Sequence, residues 1–148
     1  MKEWTGYIEI DSSIEKVWEV INGSEENLKK LDPKIIKNEV LFETENKVGS
    51  KYKQQYKEGK KVIEYIVEVL EHKDTPNEKS FKIGFKIGKW FDITVLYLLK
   101  RVSDNITSVD YKTTNQPLGI IAKILFKLMP SNNDVIENHL KKIESLSK

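Results

Sequence analysis

Tyrosine side chains and one glutamine alternate with charged residues in segments that resemble strands. Tyr52, Gln54 and Tyr56 alternate with lysines, and later segments place Tyr65 and Tyr111 directly after an acidic residue. Lysine side chains face water, so this alternation turns the tyrosines and the glutamine toward an interior. Buried phenol and amide groups need hydrogen-bond partners, and they could orient or protonate polar groups of a bound molecule. The alternative interpretation is plain packing, with each hydroxyl satisfied at the rim of a core.

The two histidines do not predict a metal site. His72 ends a strand-like segment beside a charged turn, so we expect it at the surface. His139 lies near the apolar stripe of the C-terminal segment, and we expect a partly buried structural histidine that could face a cavity. The two are far apart in the chain, neither HxH nor HExxH occurs, and cysteine is absent. We therefore expect neither a metal nor another cofactor.

Motifs for covalent catalysis and for nucleotide binding are also missing. The sequence contains no GxSxG, no Walker loop and no GxGxxG. General acid–base chemistry remains open, because a buried tyrosine or Asp92 could protonate a bound molecule in a shaped pocket. We assign no catalytic residue from the sequence.

A run of strands would position these side chains. Alternation of apolar and polar residues predicts a first strand at Glu3–Ile10 and six later ones. Those six are Ile35–Glu45, Gly49–Lys57, Lys61–His72, Lys79–Lys86, Trp90–Val102 and Asn105–Thr114. The turns between them are short, which favours an antiparallel meander. The Trp90–Val102 segment alternates poorly, and there we place Tyr97 on the inward side.

Two short helices are predicted between the first and second strands. Ser12, followed three residues later by Glu15, predicts a capping box for the first helix. Ser24 can cap the second helix, which should end at Leu31 because Asp32 precedes a proline.

The last segment, Pro117–Lys148, repeats apolar residues at helical spacing and predicts one long helix. Pro130 should kink it, since proline cannot donate to the helical hydrogen-bond ladder. Three apolar residues before the kink, Ile120, Ile124 and Phe126, lie off the main stripe. They could be buried beneath loops, or they could form a ligand entrance or a dimer contact.

Composition bounds the classes of protein that this sequence can encode. With 148 residues, 39% hydrophobic and 32% charged, it suits a single domain over residues 1–148. The net charge is only +2 and Arg101 is the sole arginine, so nucleic acid binding is not favoured. No signal-peptide core and no apolar run of about 18 residues occurs, so we expect a cytoplasmic protein without stable membrane insertion.

This order of elements, with three short motifs, resembles the helix-grip fold of the START and Bet v 1-like (SRPBCC) superfamily. The motifs are Ile8–Trp18, Val48–Tyr52, and Thr107–Tyr111 followed by Pro117–Gly119. They are similar to that superfamily's first strand and capped helix, the start of its third strand, and its last strand and helix entry. The branch that the chain resembles is the bacterial polyketide cyclase/dehydrase-type group.

The resemblance implies an α+β fold in which a seven-stranded, antiparallel, curved sheet wraps the long C-terminal helix, with two short helices after the first strand. It also implies a cavity that accepts lipids, aromatic polyketides or hormones, although function does not follow from fold alone. We choose the cavity residues from the strand and helix faces. The expected ligand-binding residues are Tyr52, Gln54, Tyr56, Tyr65, Val67, Phe81, Ile83, Phe85, Tyr111, Ile121, Leu125 and Met129.

Three functional hypotheses follow, from different classes. The leading one is a non-catalytic binder or carrier of a hydrophobic small molecule, such as a lipid, a polyketide or an aromatic compound. The second is a polyketide cyclase- or dehydratase-type enzyme that uses a pocket tyrosine or Asp92. The third is a protein-interaction module, in which the apolar first half of the C-terminal helix docks a partner or a second copy. We expect a monomer or a weak homodimer.

Overall fold

Seven antiparallel strands form one curved sheet in the computed structural model, which describes residues 1–22, 24–120 and 134–148. The elements in chain order are β1 Lys2–Ile10, α1 Ile14–Ile21, α2 Glu25–Leu31, β2 Ile35–Phe42, β3 Lys51–Glu58, β4 Lys61–Asp74, β5 Glu78–Ile87, β6 Phe91–Ser103, β7 Ile106–Pro117 and α3 Asp134–Leu146. The strand order is β1-β7-β6-β5-β4-β3-β2, so β2 to β7 form a meander and β1 pairs with the last strand. The predicted fold class is confirmed.

Some predicted strand ends were wrong by a few residues. β2 ends at Phe42 and does not continue to Glu45, because the chain there turns away from the sheet. The Thr44 amide donates to Ser50 Oγ at 3.0 Å, and the Thr44 hydroxyl donates to the Val48 carbonyl at 2.7 Å. These bonds replace the sheet ladder between β2 and β3.

The start of α1 also differs from the prediction. Its N-cap is Ser13, whose Oγ accepts from the Lys16 amide at 3.3 Å, and not Ser12. The Ser12 side chain is buried and donates to the Ser147 carbonyl at 2.6 Å, which ties the first helix to the end of the chain. The predicted cap of α2 is confirmed, since Ser24 Oγ accepts from the Asn27 amide.

Helix α3 lies directly against β1 at Gly6. A Cβ atom there would lie 2.6 Å from Ile136 Cγ2 and 2.8 Å from Leu140 Cδ1, so only glycine permits this approach. The C-terminal helix is thus confirmed over Asp134–Leu146. The predicted kink at Pro130 lies outside the described residues.

The densest part of the core lies at one end of the sheet. There α1 and α3 pack on the inner face around a cluster of fully buried side chains, which includes Ile10, Ile14, Leu99, Val109 and Ile143. Further along β6 and β7, the inner face carries Tyr97 and Tyr111 and the packing opens into the cavities described below. In the part of the chain described, no helix combines the length and the apolar character needed to cross a membrane.

Candidate ligand-binding site

Two adjoining cavities lie between the inner face of the sheet and the helices. The first, here called the helix lobe, has a volume of about 480 Å³ and is bordered by α2, by α3 and by all seven strands. The second, here called the edge lobe, has a volume of about 420 Å³ and is bordered by α1, α2 and strands β2 to β6. Five residues line both lobes: Leu28, Leu31, Gln54, Ile83 and Tyr97. The two lobes therefore adjoin along a wall formed by these five residues.

Eight of the sequence-predicted site residues are brought together around these lobes. Tyr65, Phe85 and Tyr111 line the helix lobe, whereas Tyr52, Val67 and Phe81 line the edge lobe; Gln54 and Ile83 line both. Strand pairing explains the grouping, because Gln54 lies opposite Tyr65 and Val67 lies opposite both Tyr52 and Phe85. Predicted residues Ile121, Leu125 and Met129 lie outside the described residues.

Tyr56 is placed away from both lobes. It lies opposite Ile35 near the end of β3, and the Lys34 ammonium is 5.8 Å from the centre of its ring. The Lys57 amide also donates to the Lys34 carbonyl at 2.8 Å, which holds this corner of the sheet together. Tyr56 therefore contacts a lysine at the rim.

A tyrosine–histidine pair lies where α3 meets the sheet in the helix lobe. The Tyr97 hydroxyl is 2.7 Å from His139 Nε2, and the imidazole tautomer decides which of the two donates. Tyr111 lies beside both, with its ring centre 5.2 Å from that of Tyr97 and 5.3 Å from that of His139. Burial lowers the pKa of His139, and the negative charge of Asp32 opposes this shift. The imidazole is therefore neutral at neutral pH and can exchange a proton with a bound molecule.

The other tyrosine hydroxyls of the helix lobe remain protonated. Burial raises the pKa of Tyr65 and of Tyr111 to about 12 in each case, and it raises the pKa of Tyr97 well above its usual value. Tyr65 also stacks on Phe85, with ring centres 4.9 Å apart. These phenols can donate hydrogen bonds to a ligand, but they do not become phenolates at neutral pH.

His72 corrects a prediction, because its side chain is half-buried against the edge lobe and does not lie fully at the surface. A bulge in β4 after Val69 shifts the alternation, so that His72 pairs with Phe81 and lines the edge lobe. Its ring packs edge-on against Trp18 with the centres 5.4 Å apart, and Asn22 Nδ2 lies 3.2 Å from His72 Nε2. Burial lowers the pKa of this histidine as well.

Asp92 lies on the opposite face of the sheet from both lobes. Successive strand residues alternate, and Val95 and Tyr97 of the same strand line the helix lobe. Asp92 instead lines a groove on the outer face with Thr94, Lys51 and Lys86. It is therefore not placed to act as an acid or base on a molecule held inside.

Asp32 is a cavity residue that the sequence did not reveal, since there it only marked the end of a helix. It is the C-cap of α2, where its amide donates to the Leu28 carbonyl at 2.9 Å and its Oδ1 accepts from the Lys34 amide at 3.2 Å. The described titratable residues that line the helix lobe are three tyrosines, His139 and Asp32. Of these, Asp32 is the one carboxylic acid. Trp4 and Val95 also line this lobe, although neither was among the expected ligand-binding residues.

Two other features bear on the sequence-based hypotheses. Within residues 1–22, 24–120 and 134–148, no three histidine, aspartate or glutamate side chains converge as metal ligands would. Ile120 is 79% exposed, whereas Ile124 and Phe126 lie outside the described residues. The docking role of that segment stays a prediction.

Solved structures with the same architecture cover nearly the whole chain. Norcoclaurine synthase from Thalictrum flavum, in complex with dopamine and hydroxybenzaldehyde, is 16% identical, with a TM-score of 0.65 over 98% of this chain and 85% of that one. Ara h 8.0201 is 14% identical, with a TM-score of 0.68 over 99% of this chain and 95% of that one. The di-domain ARO/CYC BexL from the BE-7585A biosynthetic pathway is 9% identical, with a TM-score of 0.68 over 100% of this chain and 45% of that one.

Sequence comparison adds no closer relationship. No family model matches the chain, and no curated protein is similar to it in sequence. At such low identities, the structural likeness shows the fold and does not extend to an activity. The chain has the helix-grip fold of Bet v 1-like proteins.

Proposed function

We propose that this protein binds or carries a hydrophobic small molecule in the space formed by the helix lobe and the edge lobe. The observation that supports the proposal is the pair of adjoining cavities, each of a size that accommodates small organic ligands. A core of this size normally fills its interior, because empty apolar space forfeits packing energy. The retained cavity therefore favours a ligand-binding role.

The lining residues of the two lobes include both apolar and polar side chains. Ile83, Phe85 and Val95 offer apolar surface, and burial of such surface contributes roughly 25 cal/mol per Å². Gln54 and Tyr65 offer hydrogen-bonding groups that would fix the orientation of a ligand's polar atoms. This combination suits a largely apolar molecule with a few polar substituents.

A cavity-filling variant tests the proposal. Ile83→Trp places a large ring between the two lobes, whereas Lys82→Trp places the same ring on the outer face of the same strand. We expect the wild type and Lys82→Trp to bind N-phenyl-1-naphthylamine, a neutral fluorescent probe, and Ile83→Trp to lose most of that affinity. Thermal unfolding checks that both variants fold. Equal probe binding by the folded Ile83→Trp variant would place the site elsewhere.

A second candidate is a cyclase- or dehydratase-type enzyme acting on a polyketide-like substrate. The observation that favours it is the Tyr97–His139 hydrogen bond in the helix lobe, because a neutral imidazole beside a phenol can move a proton to or from a bound molecule. Two similar structures, norcoclaurine synthase and the ARO/CYC protein BexL, carry names that denote enzymes.

Turnover of a poly-β-ketone thioester tests this candidate. His139→Gln should abolish product formation while the variant still binds the fluorescent probe. The control is His72→Gln, which removes the other histidine from the edge lobe. The enzymatic candidate fails if the wild type binds the thioester and forms no product beyond the uncatalysed rate.

A further inference from the structure

The charges around the two lobes are unevenly balanced. At the rim of the edge lobe, Glu43 pairs with Lys47 at 3.6 Å and Glu25 pairs with Lys29 at 3.3 Å. Each carboxylate there has a basic partner, and all four side chains are nearly half exposed to water. The charges of the edge lobe therefore cancel locally and are screened.

Among the described residues, no ammonium forms an ion pair with Asp32, although its charge, after those of Tyr56 and Glu58, helps to raise the pKa of the nearby Lys34. Asp32 Oδ1 accepts from the backbone amide of Lys34, while the Lys34 ammonium points elsewhere, 3.7 Å from Glu58 and over the ring of Tyr56. His139 lines the same lobe, but burial lowers its pKa and keeps it neutral at neutral pH. None of the described lining residues of this lobe is a lysine or an arginine.

The field of this carboxylate reaches well into the helix lobe. Burial is the main cause of the shifted pKa values of Tyr65, Tyr97 and His139. Beside it, the negative charge of Asp32 contributes to the raised pKa of both tyrosines and opposes the lowered pKa of His139. A second anion brought into the lobe would be repelled by the same field, which a low-dielectric interior strengthens. A cation would be attracted.

Aromatic rings on the walls of the helix lobe favour the same sign of charge. Trp4, Tyr65, Phe85 and Tyr111 all line it, and the faces of such rings attract cations through their quadrupoles. An ammonium group on an apolar body would meet ring faces, hydroxyl oxygens and one carboxylate there. A carboxylate on the same body would meet no cationic group among the described lining residues.

We propose that the helix lobe selects hydrophobic ligands that carry a protonated amine, with Asp32 as the counter-ion, and disfavours hydrophobic carboxylates. This inference rests on the proposed binding function and specifies the ligand class. The carboxylate of Asp32 is half-buried and accepts a hydrogen bond from the Lys34 amide, and an ammonium ligand would supply the ion-pair partner that no described side chain provides.

Three probes with one apolar tail and different head groups test the inference. Dodecylamine, dodecanol and dodecanoate are titrated into the protein at neutral pH, below their aggregation concentrations, and binding is measured by isothermal titration calorimetry. We expect dodecylamine to bind about tenfold more tightly than dodecanol, and dodecanoate to bind more weakly than dodecanol by a similar factor.

Asp32→Asn is the diagnostic variant and Asp104→Asn is its control. Both remove one carboxylate, but Asp104 pairs with Arg101 on the surface, at the far end of the sheet. Asp32→Asn keeps an oxygen that can accept from the Lys34 amide, so its fold should persist. We expect it to abolish the difference between dodecylamine and dodecanol, and we expect Asp104→Asn to retain that difference.

Each outcome separates this inference from the proposed function. If none of the three probes nor the neutral fluorescent probe binds, the binding function itself fails. If the three bind with equal affinity, or if dodecanoate binds best, binding stands and the amine selectivity is overturned. Amine selectivity that survives in Asp32→Asn assigns the preference to another group. The comparison of head groups in the wild type needs no variant, so a folding defect in Asp32→Asn leaves the test intact.

Discussion

The Tyr97–His139 hydrogen bond joins a strand of the sheet to the C-terminal helix in the interior. Each partner comes from a different layer, the tyrosine from β6 and the histidine from α3, so their hydrogen bond links the sheet to the helix. The same two side chains line the helix lobe. One bond thus serves both packing and the shape of the cavity.

Tyr97→Phe should destabilise the fold by about 1–2 kcal/mol, because His139 Nε2 loses its partner while partly buried. Urea unfolding followed by circular dichroism measures the change. Tyr7→Phe is the control, since Tyr7 is 57% exposed and its hydroxyl donates to Glu9 at the surface. Equal stability of Tyr97→Phe and Tyr7→Phe would contradict a stabilising role for the bond.

Stability should fall as the pH drops below the ordinary histidine pKa of 6.5, because burial lowers the pKa of both His139 and His72 in the folded chain. Between 6.5 and those lowered values, the unfolded chain takes up protons that the native state resists. The stabilising contribution is therefore fully present above 6.5 and is lost as the pH falls toward the lowered values.

Urea midpoints between neutral pH and about pH 5.5 measure this effect before carboxylates begin to titrate. His139→Gln should flatten the pH dependence, and His72→Gln should do so less, since burial is the main cause of both shifts and His72 is less deeply buried than His139. A midpoint that rises on acidification would reverse the sign and refute the assignment of both shifts.

Sequence alternation was sufficient to turn several side chains inward, among them Tyr52, Gln54, Tyr65 and Tyr111. It failed for His72, because one extra residue in β4 reverses the facing of everything after it, and a bulge leaves no mark in the local pattern. It also missed Asp32, whose place in the cavity depends on how α2 ends against the sheet. Sequence alternation does not predict contacts between the helices and the sheet.

At the scale of elements, the approach of α3 to β1 sets one wall of the interior. Gly6 and the buried face of α3, with Ile136 and Leu140, meet so closely that no side chain fits between them. Strand and helix periodicity predicted both elements from the sequence. The need for a glycine at position 6 could not be predicted from the sequence, because it depends on how closely α3 packs against β1.

Gly6→Ala should destabilise the fold by about 1–3 kcal/mol through overpacking, because the new methyl group would lie 2.6 Å from Ile136 Cγ2. Thermal or urea unfolding measures the loss. Without the helix contact, alanine should instead be neutral or stabilising, since glycine weakens strands. A stability at or above that of the wild type would therefore show that α3 does not pack on β1 at this point.

At the scale of the whole molecule, packing is divided along the length of the sheet. One end is closed by the cluster around Ile10, Leu99 and Ile143, while the middle of the inner face opens into the two lobes. The packed cluster at that end stabilises the fold, so the middle of the inner face can retain space for a ligand. The sequence predicted the layers, but the volume between them depends on helix placement that no residue pattern encodes.

Native mass spectrometry of the freshly purified protein tests the central claim most directly. The account predicts a species heavier than the bare chain by the mass of an apolar molecule, lost on denaturation and absent from Ile83→Trp, in which the junction of the lobes is filled. A spectrum that shows only the bare chain, both as purified and after incubation with hydrophobic amines and a lipid extract, would contradict the account.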